Sequence, residues 1–331
     1  MSKGLLPVAA LCMLPVVLVS SNVENVELGQ GQLKPPYAVA KEVPSPVLFG
    51  EGVITTPGEE MNAGFTPDGK TVYFTRLHTG QRLGIIYESR FVNGRWSAPE
   101  VVPFSGQYTD YDPIVSPDGT RLFFDSNRPV TGTGRKDFDI WMVEKTSTGW
   151  GEPKNLGDVI NTKGDEFYAS VASDGTLYFS STRPDTKGRM DIYRSRWRNG
   201  AFETPENLGD GVNSPFFEVD PYVAPDQSFV VFSATGRPDD LGNGDLYISE
   251  AANGVFGPAR HLGAGINSPA REYCPAGSPD GRYFFFTSFR GFGDRIPDRP
   301  WTTKDAAEGM HGVLNGWGNV YQIDMRALRG K

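Results

Sequence analysis

The stretch that decides the fold is "SPDGTRLFFDSNRP", residues 116–129, in which an Asp-Gly turn is followed by an alternating strand and an Arg. The same order returns around Asp68, Asp174 and Asp280, and around Asp226 with Gln227 in place of the glycine, so the turn aspartates recur every 50 to 56 residues. Self-similarity at a fixed period of this size is typical of repeat architectures. The chain therefore consists of five copies of one unit.

Each unit continues in the same way after its Arg. A short strand such as "DIW" (139–141), "DIY" (191–193) or "DLY" (245–247) follows, and then a Trp or Phe segment that ends in "NLGDVIN" (155–161) or a close variant. Four antiparallel strands at this period predict propeller blades, because one twisted sheet buries both faces only when neighbours stack against it. A β-sandwich of hairpins is the alternative, but it requires no fixed period.

The two ends of the sequence predict how the ring closes. The fifth unit reaches its third strand near Gly318 and does not continue into a fourth. The missing segment aligns with residues 43–55, so we expect the amino-terminal segment to supply the outer strand of the last blade and to remove an open edge. The predicted fold is all-β, a five-bladed β-propeller of four-stranded antiparallel blades over residues 43–326, with a tail of residues 327–331.

The first residues predict export. Residues 1–21 carry one positive charge at Lys3, an apolar run from Leu5 to Val19 and small residues before Asn22, which is the shape of a secretory signal peptide. A linker of residues 22–42 would follow it. An uncleaved membrane anchor is the alternative, but the run is short for a spanning helix. We expect a periplasmic or secreted monomer with no stable membrane insertion after cleavage.

Charge and composition exclude several classes of site. The formal net charge is -8, and no basic stripe is present to bind a phosphate backbone, so nucleic acid is not an expected partner. Cleavage of the signal peptide would leave Cys274 without another cysteine to pair with. Three histidines are also too few for a histidine-rich zinc site. No cofactor is predicted from these residues.

The repeat resembles a known family. The segments "SPDG", "LYF", "DIY" and "NLG", followed by "IN", resemble in their order the WD40-like repeat of the TolB type, and the resemblance covers nearly all of Val43 to Met325. It implies a propeller. It does not imply one function, because this repeat serves many roles.

A ring of charged residues is predicted on one face of the propeller. Each unit has an acid eight residues before its turn Asp and an Arg at the end of its second strand, and such positions become cross-strand neighbours in a hairpin. The ring could be a structural ion-pair network or a ligand-binding rim. Its members are Glu60, Asp110, Glu166, Glu218 and Glu272, with Arg76, Arg128, Arg183, Arg237 and Arg290.

The residue two positions after each ring acid differs from unit to unit. It is Asn62, Asp112, Tyr168, Asp220 or Cys274. Strand alternation places all five on the same face as the acids, so Asp112 and Asp220 add two carboxylates to the channel. Such carboxylates could act in glycoside hydrolysis, with Glu166 as a third candidate, or could bind Ca²⁺ through oxygen ligands.

The fifth unit contains a long insert between its second and third strands. Residues 291–318 stand where three other units use seven residues. Long loops of this kind are often functional, and Trp side chains among Gly and Pro suggest a stacking surface; a packed cover over the channel mouth is the alternative. The insert holds Arg295, Arg299, Trp301, His311 and Trp317.

These features give two hypotheses for function. The first is an exported binding protein that uses the channel rim and the 291–318 loop, with Trp301 and His311, to bind a protein or carbohydrate ligand. The second is a carbohydrate-active hydrolase or lyase that uses Asp112, Asp220 and Glu166.

Overall fold

The structure is a computed structural model that describes residues 1, 36–39, 42–78, 80, 83–132, 134, 136–291 and 298–329. The predicted signal peptide, apart from residue 1, and most of the predicted linker lie outside the described residues, as does the end of the predicted tail. Within the described ranges, no helix has the length and apolar character needed to cross a membrane.

Five antiparallel sheets form the five blades, which confirms the predicted fold class. Strand β1 (Val47–Leu48) belongs to the fifth blade. The first blade contains β2 (Glu59–Phe65), β3 (Thr71–His78), β4 (Leu83–Val92), β5 (Arg95–Trp96) and β6 (Glu100–Val101). The second contains β7 (Asp110–Val115), β8 (Arg121–Ser126), β9 (Asp139–Thr146), β10 (Gly149–Trp150) and β11 (Lys154–Asn155).

The remaining blades repeat this order. The third contains β12 (Glu166–Val171), β13 (Leu177–Ser181), β14 (Asp191–Ser195), the hairpin β15 (Trp197–Arg198) and β16 (Ala201–Phe202), and β17 (Glu206–Asn207). The fourth contains β18 (Phe217–Val223), β19 (Phe229–Thr235), β20 (Asp245–Ala252), β21 (Val255–Phe256) and β22 (Arg260–His261). The fifth contains β23 (Glu272–Gly277), β24 (Tyr283–Ser288) and β25 (Asn319–Asp324). The first strand of each blade is the innermost one and contacts the first strands of the two neighbouring blades.

The fifth blade takes its outer strand from the amino-terminal segment. Strand β1 pairs antiparallel with β25, so that Val47 lies opposite Gln322 and Leu48 opposite Tyr321. The Val43 amide donates to the Asp324 carboxylate at 2.9 Å. Both ends of the propeller therefore meet in one sheet.

The Asp-Gly turn of the opening stretch is held by local hydrogen bonds. The Ser116 hydroxyl donates to Asp118 Oδ1 at 2.6 Å, and the same oxygen accepts the Thr120 amide at 3.0 Å. Gly119 follows with a φ of 70°, a conformation that glycine adopts without strain. These hydrogen bonds and this backbone conformation explain why similar turn sequences recur, although in the fourth blade Gln227 adopts the positive φ in place of glycine.

The core lies between neighbouring blades. Each second strand contributes a fully buried Phe, and burying one such side chain stabilises the fold by about 1.5–3 kcal/mol. These residues are Phe74, Phe124, Phe179, Phe232 and Phe286. The apolar repeat thus gives each blade a face against which its neighbour packs.

Regular helix in the described residues is confined to two places. Helix α1 (Thr303–His311) lies within the long insert, which the sequence did not predict to have regular structure, and a 3-10 helix covers Met325–Arg329. Thr302 caps α1: its hydroxyl accepts the Asp305 amide, and the Asp305 side chain accepts the Thr302 amide. This capping box explains why the helix begins there.

Candidate functional site

The acids and arginines of the ring lie at one end of the blades, which we call the upper face. This end also carries the connections between second and third strands and those between blades; the lower face carries the turns between first and second strands, which contain the repeated Asp. Four acid and Arg pairs lie within ion-pair distance: Glu60 and Arg76 at 2.9 Å, Asp110 and Arg128 at 2.8 Å, Glu218 and Arg237 at 2.9 Å, and Glu272 and Arg290 at 3.1 Å. In the third blade Arg183 Nε instead donates to Ser181 at 3.1 Å.

Each acid also holds the loop that precedes its strand. Glu166 shows the pattern: its carboxylate accepts the Thr162 amide and the Thr162 hydroxyl, both at 2.8 Å, and the Ser181 hydroxyl at 2.6 Å. Arg183 Nη2 donates to the Ile160 carbonyl at 2.8 Å. The Glu166 side chain is fully buried, and burial raises its pKa. This arrangement favours the structural role for the ring, because a ligand would have to break these bonds to reach the carboxylates.

The residues two positions after the ring acids share an unusual backbone. All five have positive φ, between 49° and 65°, and in each blade the register between the first and second strands shifts at this point. A β-bulge with a non-glycine residue at positive φ is an observed strain of the kind that clusters at functional sites. The five residues are Asn62, Asp112, Tyr168, Asp220 and Cys274.

The bulges are tied to the neighbouring blades. The amide of the bulged residue donates to a side chain on the second strand of the preceding blade: Asp112 to Thr75 at 3.1 Å, Tyr168 to Asp125 at 2.8 Å, Asp220 to Ser180 at 3.0 Å and Asn62 to Thr287 at 3.0 Å. Three of these acceptors are hydroxyls and one is a carboxylate. Asp125 is therefore a departure from the repeat, and the sequence analysis did not single it out.

Asp112, Asp125 and Asp220, here called the axial carboxyls, meet at the centre of the ring. The Cys274 thiol donates to Asp112 Oδ1 at 3.3 Å, and the Cys274 amide donates to Asp220 Oδ2 at 3.2 Å. Asp125 Oδ1 is buried and accepts no hydrogen bond from the described residues, although the Asp112 carboxyl lies beside it. A proton on one of these two carboxyls would supply the missing donor.

The pKa values of the axial carboxyls reflect this burial. Burial, followed by the charge of Asp220, raises the pKa of Asp112 to about 7. Burial also raises the pKa of Asp220, although the Arg271 guanidinium opposes that rise. Burial and the charge of Asp112 raise the pKa of Asp125 well above its usual range. The site can therefore hold protons near neutral pH.

The structure brings Asp112 and Asp220 together. Glu166 does not join them, because its carboxylate is bonded to Thr162 in the loop that precedes its own strand. Among the described residues, no group of three or more His, Cys, Asp or Glu side chains is arranged to hold a metal ion. The Ca²⁺ site at Asp112 and Asp220 remains a prediction.

Tyr168 closes the channel below the axial carboxyls. Its fully buried side chain extends from the third blade, and its hydroxyl donates to the Pro275 carbonyl at 2.7 Å and lies 3.3 Å from Asn62 Oδ1. These partners belong to the fifth and first blades. The upper and lower ends of the axis are consequently separate compartments.

Aromatic rings lie above the axial carboxyls on the upper face; Tyr273 is buried, and the others are half-buried. Tyr111 stacks on Phe138 at 5.4 Å between centroids, and Phe138 lies 5.0 Å from Phe167. Across the face, Tyr273 stacks on Phe289 at 5.5 Å. Rings at such separations form stable stacked or tilted pairs.

The insert adds exposed aromatic surface to the same face. Trp301 is 45% exposed and Trp317 is 44% exposed, whereas Asn315 fixes the segment by donating to the Pro57 carbonyl at 2.8 Å. His311 is exposed in the last turn of α1. Arg299 is also exposed and pairs with Asp305 at 2.7 Å, while Arg295 lies outside the described residues.

Comparison with known proteins supports the fold and leaves the family open. No protein-family model matches the chain, and no curated protein matches it, so the resemblance to the TolB-type repeat remains a prediction. The solved BT0996 RGII complex is 9% identical with a TM-score of 0.54, and the match covers 86% of this chain and 92% of the matched protein. The α-L-arabinofuranosidase from Lactobacillus brevis is 14% identical with a TM-score of 0.51, over 82% and 92% of the two chains.

A third solved structure is larger than this chain. The puromycin-hydrolyzing peptidase of Mycobacterium tuberculosis is 14% identical with a TM-score of 0.40; the match covers 79% of this chain, which spans only 41% of the length of that protein. At such identities the likeness to the BT0996 complex and the arabinofuranosidase shows the fold alone.

Proposed function

We propose that this protein is an exported β-propeller that binds a carbohydrate on its upper face, with Trp301 and Trp317 as stacking platforms. One observation carries the proposal. All three exposed aromatic side chains in the described part of the chain, Phe216, Trp301 and Trp317, lie in loops of that face. Exposed apolar groups concentrated on one surface mark an interaction site, and Trp combines a flat apolar face with a polar edge.

Two further features support a carbohydrate as the ligand. The stacked rings Tyr111, Phe138 and Phe167 continue the aromatic surface towards the axis. The solved arabinofuranosidase with the same fold acts, by its name, on arabinofuranosides, which makes arabinose-containing oligosaccharides the first ligands to test. A protein partner that stacks on the same tryptophans is the alternative outcome.

The experiment is a binding titration with purified protein. Isothermal calorimetry against a panel of oligosaccharides is repeated with W301A, W317A and the double variant, and V255A, which truncates an exposed side chain on an outer hairpin, serves as the control. We expect a loss of at least tenfold in affinity for each Trp variant and none for V255A. Unchanged affinity in the double variant would overturn the proposal, and so would a panel without any binder.

The second candidate function is that of a hydrolase or lyase. The one observation that favours it is the cluster of axial carboxyls. Glycoside hydrolysis uses one protonated and one ionised carboxyl, and a pKa of about 7 for Asp112 beside Asp220 fits that division. The test is product release from the same panel, with D112N and D220N. Turnover that survives both substitutions, or no turnover by the unaltered protein with and without added Ca²⁺, rules this candidate out.

A further inference from the structure

The lower end of the axis holds a cavity separate from the upper face. It has a volume of about 330 Å³, and all five blades contribute to its wall. Tyr168 forms its floor, while turn residues such as Pro67, Pro225 and Ser173 surround its opening. Because the Tyr168 side chain spans the axis, a ligand in this cavity would not touch the axial carboxyls or the insert.

The wall of this cavity is uncharged. None of the described residues that line it is Asp, Glu, Lys, Arg or His, although these types are frequent elsewhere in a chain of net charge -8. A charged ligand would lose its hydration there without gaining a partner, and that costs several kcal/mol. The cavity therefore discriminates against ions and suits a neutral, largely apolar molecule.

The volume limits the size of that molecule. An apolar cavity of about 150 Å³ holds one benzene molecule. A cavity of about 330 Å³ has room for roughly twice that, which corresponds to two fused rings with a small substituent. Ligand pockets of this size usually combine an apolar wall with a few fixed polar groups.

Tyr222 supplies such a polar group. Its half-buried side chain lies in the wall against Gly277, and its hydroxyl has no hydrogen-bond partner among the described residues. Burial raises the pKa of this hydroxyl, so it stays protonated and can donate. A ligand with one oxygen acceptor would satisfy it, and a hydrogen bond of this kind is worth about 1 kcal/mol.

We propose that the lower cavity is a binding site for a neutral two-ring molecule with one oxygen acceptor, which Tyr222 recognises. This site is independent of the carbohydrate site on the upper face, since Tyr168 separates the two compartments. The protein thus has two ligand sites, one at each end of a closed axis.

The test uses three probes that share a naphthalene ring. 2-Naphthol is neutral and carries an oxygen, naphthalene lacks the oxygen, and naphthalene-2-sulfonate carries a charge. We expect saturable binding of the first two, measured by fluorescence, and at least tenfold weaker binding of the sulfonate. The proposal is overturned if neither neutral probe binds saturably or if the sulfonate binds equally well.

Three variants locate the site. Y222F keeps the ring and removes the hydroxyl, so the affinity for 2-naphthol should fall about fivefold while that for naphthalene stays the same. S173W should block the opening and abolish binding of both, because Ser173 is exposed there and holds its neighbour Pro225 through a main-chain amide that Trp also has. W301A should change neither affinity. The proposal is overturned if probe binding persists in S173W and is unchanged in Y222F, or if it disappears in W301A. The carbohydrate site is tested separately, by its own titration.

Discussion

The hydroxyl of Tyr168, in the third blade, donates to the carbonyl oxygen of Pro275, in the fifth blade, at 2.7 Å across the axis of the ring. Both residues are buried, and the Tyr168 hydroxyl is the donor that the Pro275 carbonyl has in this contact. Through this contact, one side chain links two blades that are not neighbours.

Y168F should lower the free energy of unfolding by about 1–3 kcal/mol, because it leaves the buried Pro275 oxygen unpaired. The measurement is urea denaturation at pH 7. Y87F is the matched control, since the Tyr87 hydroxyl contacts His78 at 3.1 Å in a less buried place and should matter less. Equal losses of unfolding free energy in the two variants would argue against a special contribution of the Tyr168–Pro275 bond.

D112N should change how stability depends on pH. The pKa of Asp112 is raised to about 7, so its contribution to stability is complete below the unfolded value of about 3.8 and is lost as pH rises through about 7. The unfolding free energy of the unaltered protein should therefore fall between pH 4 and pH 7. In D112N, measured by urea denaturation across that range, this fall should be smaller, whereas the same substitution at the exposed Asp158 should leave the profile unchanged.

D125S should stabilise the protein at pH 8. At the contact between the third and fourth blades, the Ser180 hydroxyl accepts the Asp220 amide at 3.0 Å, so a serine at position 125 can accept the Tyr168 amide in the same way. The substitution also removes a buried carboxyl oxygen that accepts no hydrogen bond from the described residues. We expect a gain of about 1–3 kcal/mol in unfolding free energy. The reciprocal S180D should lose stability, and a loss in D125S instead would contradict this account of Asp125.

R128M should destabilise the protein strongly, by about 3–5 kcal/mol, because it leaves the fully buried Asp110 carboxylate without its ion-pair partner. The double variant R128M/D110N should cost less than the single one. Thermal unfolding of the four forms completes a double-mutant cycle. If the two substitutions simply add, the ring residues are not coupled, and the structural role proposed for the ring is wrong.

The sequence predicted the parts of the fold that depend on local chemistry. Each turn Asp accepts the amide two residues further on, as Asp118 does and as Asp226 does with Gln227 in place of glycine, so the repetition of this turn is sufficient to count the blades. The acid and Arg pairing follows from the symmetry of a hairpin. At Arg183 the pairing is indirect, because the Ser181 hydroxyl accepts from the guanidinium and donates to Glu166.

The parts that the sequence did not reveal depend on contacts between blades. Strand alternation assigns residues to faces, but it does not detect a bulge that a residue such as Asp112 forms without glycine. The role of Asp125 was not predicted from the sequence, because the residue that it binds, Tyr168, is 43 residues away in the next blade. Helix α1 could have been found from the Thr302 and Asp305 spacing, which is that of a capping box.

The pairing of β1 with β25 in the fifth blade has a consequence for how the protein folds during its synthesis. The bond between Val43 and Asp324 joins residues 281 positions apart, so the blade that completes the ring depends on contacts of very long range. Contacts of such separation form late and slowly. During synthesis β1 is made before every other strand of the propeller, and its partner β25 is made after them. Four blades can therefore assemble while β1 still awaits its partner, and until the ring closes the chain is an open arc with exposed strand edges.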